Sequence, residues 1–380
     1  MTDESTNALA PEDLPETPAA AGRRLPLVAR IFYGVGLFCV LLYALFWISP
    51  TFSDFFNRHI ASILRWILAK ATLIFPFSLA EFLLLLFPIL VVLTIWWASR
   101  RYADTWRDVW LFCGTVLSLF ALMFSIFTVG FASGYRGSSL AEKLSLAEKS
   151  SVSAKELHAT ARYLADEVNR ASAEVVYGSD GFSVMPYDFW EMNRRISAAY
   201  DKAADTYGFL PRLHSRVKPV MLSKLMSYTH ITGVYTFFTG EANLNMNFPD
   251  YTLPYTAAHE LAHQRGIARE DEANFMAFLV LAGSDDAYLR YCAYLNLYEY
   301  VASDLYDADP EAYASVYLGL YRVIRREQAA YAVFVRQYAD SVAGTVAGAV
   351  NDAYLTVQGT GGVESYNLVV RLAAAYVEAR

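Results

Sequence analysis

Three long runs without a charged residue constrain this chain more than any other feature of its sequence. They are Ile31–Ile48, Phe82–Ser99 and Val109–Tyr135. The first two contain 18 residues each, and a helix of that length is about 27 Å long, close to the roughly 30 Å of a hydrocarbon core. The chain is also 55% hydrophobic and only 18% charged, which is too apolar for an ordinary soluble protein. We therefore predict three membrane-spanning helices and a lipid bilayer as partner.

The segment between the first two runs has a different pattern. Residues 55–75 combine basic side chains with isoleucine and leucine at helical spacing, which is typical of a helix lying on a membrane surface. A fourth, tighter span is the alternative, although its charges argue against it. We therefore assign residues 26–136 to a membrane domain. Residues 1–25 are polar and acidic, without an apolar period, and are predicted to form a disordered tail.

Basic residues near the ends of the runs bear on their orientation. Cytoplasmic loops carry the excess of Lys and Arg, and here the excess before the first run and between the second and third is shallow. The residues are Arg23, Arg24, Arg30, Arg100, Arg101 and Arg107, set against Arg58, Arg65 and Lys70. With the amino terminus inside, three spans place residues 137–380 outside the cytoplasm. The expected location is the cell membrane, multi-pass, with an extracytoplasmic domain.

Charge and cysteine content exclude two classes of site. The net charge of −7 and the pI near 5.5 argue against a nucleic-acid partner, which would require a basic surface. Of the three cysteines, Cys39 and Cys113 lie in the apolar runs and leave Cys292 alone. Neither a disulfide framework nor a cysteine-type zinc site is therefore expected.

One short motif in the second half of the chain carries chemistry. His259-Glu260-Leu-Ala-His263 places two histidines four residues apart, so that on a helix they share one face and can bind a single zinc ion. Glu260 stands beside them and can take a proton from the attacking water, which is the role of a general base in peptide-bond hydrolysis. The alternative is an ordinary amphipathic helix whose histidines fall four apart by chance.

A catalytic zinc site needs a third protein ligand. Where another class of zinc site would place a third histidine, six residues after His263, this chain has Arg269, which cannot bind a metal. Glu270 follows, and Asn274 shares its face of the next helix, where its amide can hydrogen-bond a ligating histidine. We predict Glu270 as the third ligand, and Glu272 remains its rival.

Two further elements of the predicted site lie upstream of the motif. Val234–Asn245 is rich in β-formers and predicts a strand edge beside the cleft, with Glu241, Asn243 and Asn245 pointing toward it. A structural hairpin in the core is an equally good interpretation. The group that would stabilise the developing oxyanion stays open among three candidates, which are His230, Tyr228 and Tyr255. We leave His59, His158 and His214 as surface or hydrogen-bonded groups.

Several longer motifs resemble a bacterial membrane family catalogued as domain of unknown function 3810, over roughly residues 30–378. They are Phe75-Pro-Phe-Ser-Leu-Ala-Glu81, Met226-Ser-Tyr with Thr232-Gly233, Gly240-Glu-Ala-Asn243, the run from His259 to Phe275, and Gly362-Val-Glu-Ser-Tyr366. The resemblance implies a zinc peptidase with transmembrane helices ahead of the catalytic domain. Membrane gluzincins are more distantly similar, because their third ligand begins a Glu-x-x-Ala/Cys-Asp pattern. Glu270-Asp-Glu-Ala-Asn274 matches that pattern except for its last residue.

Together these features predict a mainly α fold, with amino-terminal transmembrane helices followed by an α-rich, zincin-like metallopeptidase domain that contains a small β-sheet. The expected function is hydrolysis of a peptide or protein substrate, with one catalytic zinc ion held by His259, His263 and Glu270 and with Glu260 as the general base. The alternative is a catalytically inactive, zinc-binding envelope sensor or scaffold. The sequence gives neither the substrate nor the oligomeric state.

Overall fold

The computed structural model describes residues 24–101, 105–360 and 368–380. Most of the predicted tail over residues 1–25 and the motif Gly362–Tyr366 lie outside the described residues. The α-helices are α1 (Leu27–Ile48), α2 (Pro50–Phe56), α3 (Ser62–Thr72), α4 (Leu79–Arg101), α5 (Trp106–Gly130), α6 (Leu140–Lys143), α7 (Ala154–Ser172), α8 (Phe189–Thr206), α9 (Ser223–Ser227), α10 (Leu253–Gln264), α11 (Glu270–Ala282), α12 (Ala287–Ala308), α13 (Pro310–Gly319), α14 (Arg322–Arg336), α15 (Val342–Val357) and α16 (Val369–Glu378). The strands are β1 (Val217–Pro219), β2 (Gly233–Thr236) and β3 (Glu241–Leu244). The predicted fold class is confirmed as far as a mainly helical chain with a small sheet.

Among the described residues, three helices, α1, α4 and α5, are long and apolar enough to cross a membrane. Helices α1 and α4 contain the first two predicted runs, whereas the third run extends beyond the end of α5. Helix α5 ends at Gly130, and a short 3₁₀ helix, Ala132–Tyr135, follows it. The reason is that Phe131 and Tyr135 leave the helix axis and line a cleft in the rest of the protein.

The predicted surface helix over residues 55–75 is helical but begins earlier and faces differently. Helix α2 starts at Pro50 and continues through a π-helical turn, Asn57–Ala61, into α3. Arg65 was expected at a lipid surface, yet it is buried. Its guanidinium donates hydrogen bonds to the carbonyl oxygens of Gly130, at 2.7 Å, and Asn57, at 2.9 Å. This arginine therefore satisfies the last carbonyl group of α5 and one carbonyl group of its own segment.

The sheet has the strand order β1-β3-β2, with β1 parallel and β2 antiparallel to β3. Strand β3 is therefore central, and β2 is an edge strand. Glu241 on β3 accepts hydrogen bonds from the backbone N–H groups of Leu79, at 3.1 Å, and Ala80, at 2.8 Å, and pairs with the buried Lys218. This carboxylate thus caps the amino terminus of α4 and ties the sheet to an apolar helix.

Two apolar cores support the cleft. The larger one joins α7, α8, α10, α11, α12 and α16. The smaller one lies where α1, α2 and α5 end, and it contains Phe46 and Phe131 together with Ala268 from the α10–α11 connection. Tyr235 of the edge strand packs on this second core. The ends of the apolar helices and the α10–α11 pair therefore share one set of contacts.

Candidate metal centre

Helices α10 and α11 are joined by a tight turn at Gly266. This residue has φ of +94°, in the left-handed region that favours glycine, and its N–H donates to His263 O at 2.9 Å. A Cβ atom here would lie 2.5 Å from Arg65 Nη2, and Asn57 Nδ2 donates to the Gly266 carbonyl oxygen at 2.9 Å. The turn is thus held against the α2–α3 segment, and it returns the chain so that α11 packs on α10.

This packing brings His259, His263 and Glu270 to one point. The two Nε2 atoms are 3.0 Å apart, and Glu270 Oε2 lies 3.1 Å from His259 Nε2 and 3.3 Å from His263 Nε2. All three side chains are buried. Ligand atoms around a tetrahedral zinc ion with bonds of about 2.0–2.1 Å stand about 3.4 Å apart. The three donor atoms therefore fit a single metal ion of this kind.

Each histidine is oriented by a hydrogen bond from its other ring nitrogen. His259 Nδ1 lies 2.8 Å from Asn274 Oδ1, and His263 Nδ1 lies 2.7 Å from the carbonyl oxygen of Ile267. Both partners are acceptors, so each Nδ1 can keep its proton while each Nε2 offers a lone pair to a metal ion bound at the common point. This is the arrangement by which neighbouring groups fix the tautomer of a metal-binding histidine.

Glu260 lies next to the triad and carries a buried oxygen without a hydrogen-bond partner. Its Oε2 atom is the unpartnered one. Burial raises the pKa of this carboxyl to about 7, although the charges of His259 and His263 act in the opposite direction. A Cβ atom on Gly233 would lie 2.6 Å from Glu260 Oε1. A glycine in the edge strand therefore leaves the space that this carboxyl occupies.

The carboxylate of Glu270 and the imidazole of His263 shift each other's pKa values. Burial lowers the pKa of His263, but the charge and hydrogen bond of Glu270 outweigh burial and raise that pKa to about 9. For Glu270, burial acts upward, while the histidines hold the pKa of its carboxyl well below the usual range. The Glu270 carboxyl is therefore ionised at neutral pH.

Glu272, the rival for the third ligand, faces away from the triad. Its Oε1 atom accepts hydrogen bonds from the Leu140 N–H at 2.8 Å and from Arg269 at 3.3 Å. Arg269 also donates to the carbonyl oxygen of Tyr135 at 3.1 Å. Glu272 thus caps the start of α6. It lies two residues after Glu270 on α11, so its side chain points to the other side of the helix.

The triad opens into a cleft of about 780 Å³. Its walls come from β2, from Phe131 and Tyr135, from one face of α12, and from α15. Three carboxyl side chains, Glu260, Glu270 and Glu299, line the cleft. Among its described lining residues there is no lysine or arginine. Burial raises the pKa of Glu299 to about 8, although a hydrogen bond from the Tyr251 hydroxyl acts in the opposite direction.

The prediction for the strand edge was wrong in its details. The edge beside the cleft is β2, and β3 lies behind it. Glu241 caps α4, as described above. Asn243 Nδ2 donates to Val234 O at 3.1 Å, and Asn245 Nδ2 donates to Ile231 O at 3.0 Å. These polar residues are buried in the central strand and its continuation, where they satisfy backbone groups instead of facing the cleft.

The three oxyanion candidates occupy different places. His230 lines the cleft, and its Nε2 lies 2.7 Å from the carbonyl oxygen of Tyr338. Tyr255 also lines the cleft, but its hydroxyl donates to Asn274 O at 2.8 Å. Tyr228 is not among the lining residues and packs edge-on against Tyr338. The remaining histidines, His59, His158 and His214, lie outside the cleft.

Two groups of cleft residues were missed by the sequence analysis. On α12 they form a polar stripe at helical spacing, a signal that was available: Asn296, Glu299, Tyr300 and Ser303. On α15 the stripe is mostly small and gave no signal: Gly344, Ala347, Gly348, Asn351 and Tyr354. A wall made of small residues becomes recognisable only when the fold places it over the triad.

Comparison with known proteins gives one family. A family model described as "Protein of unknown function (DUF3810)" matches residues 52–374. The matched segment includes α4, α5, both helices of the candidate metal centre and α15. Neither the curated proteins nor the solved structures gave a match.

Proposed function

Because this chain belongs to the DUF3810 family, whose description names no activity, we propose from the site itself that it is a membrane-anchored, zinc-dependent metallopeptidase. The observation that carries the proposal is the convergence of His259, His263 and Glu270 beside Glu260. Two imidazoles and one carboxylate form the ligand set of the thermolysin type of catalytic zinc. When bound, zinc supplies a Lewis acid for the hydrolysis of a carbonyl compound.

Glu260 acts in this proposal as the group that moves protons. Its unpartnered, buried Oε2 atom accepts a proton from the water that attacks the substrate carbonyl. It then returns the proton to the leaving amine, so that the peptide bond breaks without a net change in the carboxyl. This role rests on the position of the side chain, which is buried beside the triad.

The edge strand favours an extended peptide as the substrate. In the β2–β3 pair, the Asn245 N–H donates to Thr232 O at 2.9 Å, and alternation along the strand then turns the backbone groups of Gly233 and Tyr235 away from β3. Both residues line the cleft beside Glu260. An extended chain added along this edge would place a peptide carbonyl next to the catalytic groups.

The position of Phe131 favours cleavage close to the membrane. This residue directly follows α5, and its ring centre lies 6.0 Å from that of His263. If α5 crosses the bilayer, the candidate metal centre lies at the bilayer surface. We propose that α1, α4 and α5 span the membrane and that the cleft faces outward, as the shallow excess of basic residues favours.

Zinc content and cleavage, measured on the same purified full-length protein, test this function. We expect one zinc per chain, and mass spectrometry of a digested peptide library should show new cut ends. Glu260→Gln should keep zinc and lose cleavage, whereas Glu311→Gln, at an exposed position on α13, should leave both unchanged. Wild-type protein without zinc would overturn the proposal. Wild-type protein that holds zinc and cuts nothing would favour the sensor or scaffold alternative.

Orientation needs a separate experiment. A reporter active only outside the cytoplasm, fused after Arg380, should be active in cells. Activity of a cytoplasmic reporter at the same position would place the cleft inside and exclude envelope substrates, while leaving the chemistry of the triad untouched.

A further inference from the structure

Helix α15, residues Val342–Val357, covers one side of the cleft, and we call it the roof. Contacts near both of its ends hold it in place. A Cβ atom on Gly344 would lie 2.6 Å from the His230 ring, and the Tyr354 hydroxyl lies 3.0 Å from that of Tyr135. Between these points a Cβ atom on Gly348 would meet nothing within 4 Å. The roof therefore bridges the cleft and does not pack tightly into it.

The outer face of the roof is apolar. Val342, Val346, Val350 and Val357 follow one another at spacings of four and seven residues, which places them on one side of a helix, opposite the residues that line the cleft. All four are exposed, Val350 at 66%. The roof carries one charged residue, Asp352, and it lies between the two faces. Within the described part of the chain, nothing covers these valines.

The end of the roof lies at the ends of the apolar helices. The Tyr354 ring centre lies 6.3 Å from that of Phe127, in the last turn of α5. Tyr43 of α1 donates to Gln358 Oε1 at 3.2 Å, and a Cβ atom on Gly359 would lie 3.3 Å from the ring of Trp47. Tryptophan and tyrosine collect where a bilayer meets water. If α1 and α5 cross the bilayer, the carboxyl-terminal end of the roof therefore lies at the level where the bilayer meets water.

The chemistry of the outer face favours lipid over a second protein. Protein interfaces are enriched in aromatic residues, methionine and arginine, whereas this face presents only valine and small side chains. The residues just after the roof contact the end of α1, where Trp47 and Ile48 are exposed. An exposed apolar helix face at this level can bury its side chains at the boundary between headgroups and acyl chains.

We propose that the valine face of the roof lies in the bilayer at the boundary between headgroups and acyl chains, so that lipid and α15 together close this side of the cleft. The proposal rests on the proposed membrane anchorage of α1, α4 and α5, but not on peptidase activity. Its ligand is the hydrocarbon surface of the membrane itself.

Fluorescent labels at single cysteines test this placement in the full chain, reconstituted in phosphatidylcholine–phosphatidylglycerol nanodiscs. The background carries Cys113→Ser, because Cys39 and Cys292 are buried and Cys113 is exposed. Labels go on Val346→Cys and Val350→Cys. Leu318→Cys is the matched control, since Leu318 is also 66% exposed but lies on α13, which packs on α7 and α12. Quenching by a nitroxide lipid is compared with quenching by aqueous iodide.

We expect the two roof labels to be quenched several-fold more by the nitroxide lipid than the Leu318→Cys label is, with the reverse order for iodide. Roof labels that iodide quenches as strongly as the control would overturn the proposal. Protection from both quenchers would also overturn it, in favour of a protein contact. Leu119→Cys, on the exposed side of α5, separates the two levels: if it too escapes the lipid quencher, the anchorage itself fails.

Discussion

The floor and the roof of the cleft are built in opposite ways. The floor, α10 and α11 with their connecting turn, is almost fully buried, and its metal-facing histidines each have a fixed hydrogen-bond partner. The roof is exposed along most of its length and is held near its ends. Chemistry that depends on distances of a few tenths of an ångström needs the first kind of support. A wall that must let a peptide chain enter the cleft needs looser support, such as that of the roof.

The largest effect should come from removing the third donor atom of the floor. Glu270→Gln should weaken zinc binding by more than about 100-fold, beyond the loss produced by removing a supporting residue. Glu272→Gln is the matched control on the same helix, because Glu272 caps α6, and it should keep zinc. Zinc retained after dialysis against graded chelator gives the measurement. Equal losses in the two variants would show that the triad geometry does not decide binding.

A smaller loss is expected when the support of a histidine is removed. Asn274→Ala takes away the acceptor for His259 Nδ1, and such changes weaken metal binding about 10–100-fold. Asn274→Asp should rescue the affinity, since a carboxylate accepts the same hydrogen bond. Chelator competition on both variants checks this. Failure of aspartate to rescue would mean that Asn274 acts only through packing.

A substitution of Gly266, in the turn of the floor, should lower the free energy of unfolding. Gly266→Ala forces an L side chain into a left-handed conformation, which costs about 1–2 kcal/mol, and its Cβ would also meet Arg65. The melting temperature of the detergent-solubilised protein should fall. An unchanged melting temperature would show that the turn relaxes freely and is not held against α2 and α3.

A glycine-to-alanine substitution in the roof should raise the free energy of unfolding, and its effect should be the smallest of those predicted. Gly348 lies inside a helix with open space around it, so Gly348→Ala should stabilise by about 0.4–1 kcal/mol and leave zinc content unchanged. The melting temperature measures this beside Gly266→Ala. A lower melting temperature would show that Gly348 is not surrounded by open space and that the roof packs closely on the floor.

Much of the floor could be predicted from local patterns in the sequence. Glu270 and Asn274 lie on one helix, α11, as their spacing predicted, and His259 and His263 share the preceding helix, α10. Three apolar helices were also predicted, because their runs are long and uncharged. These features depend on neighbours in the chain, through helical spacing and the conformational freedom of glycine.

What the sequence did not show depends on contacts between distant residues. Asn57 and Gly266 are 209 residues apart in the chain, and no spacing rule relates them. Arg65 was predicted to lie on a helix at the membrane surface, yet it is buried and donates to the carbonyl oxygen of Gly130, which is 65 residues away in the chain. Glu241 was predicted to point into the cleft from a strand edge, whereas its carboxylate caps α4 through Ala80, which is 161 residues away in the chain.

The contact between Gly266 and the α2–α3 segment has a consequence for how this protein is assembled and handled. The amino-terminal part of a chain is synthesised first, so Asn57 and Arg65 are available before the residues of the turn exist. The later helices then close onto a surface that earlier residues provide. A shortened chain starting at residue 137 would keep every donor atom of the triad but lose the support beneath its turn. Such a fragment is a poor substitute for the whole protein.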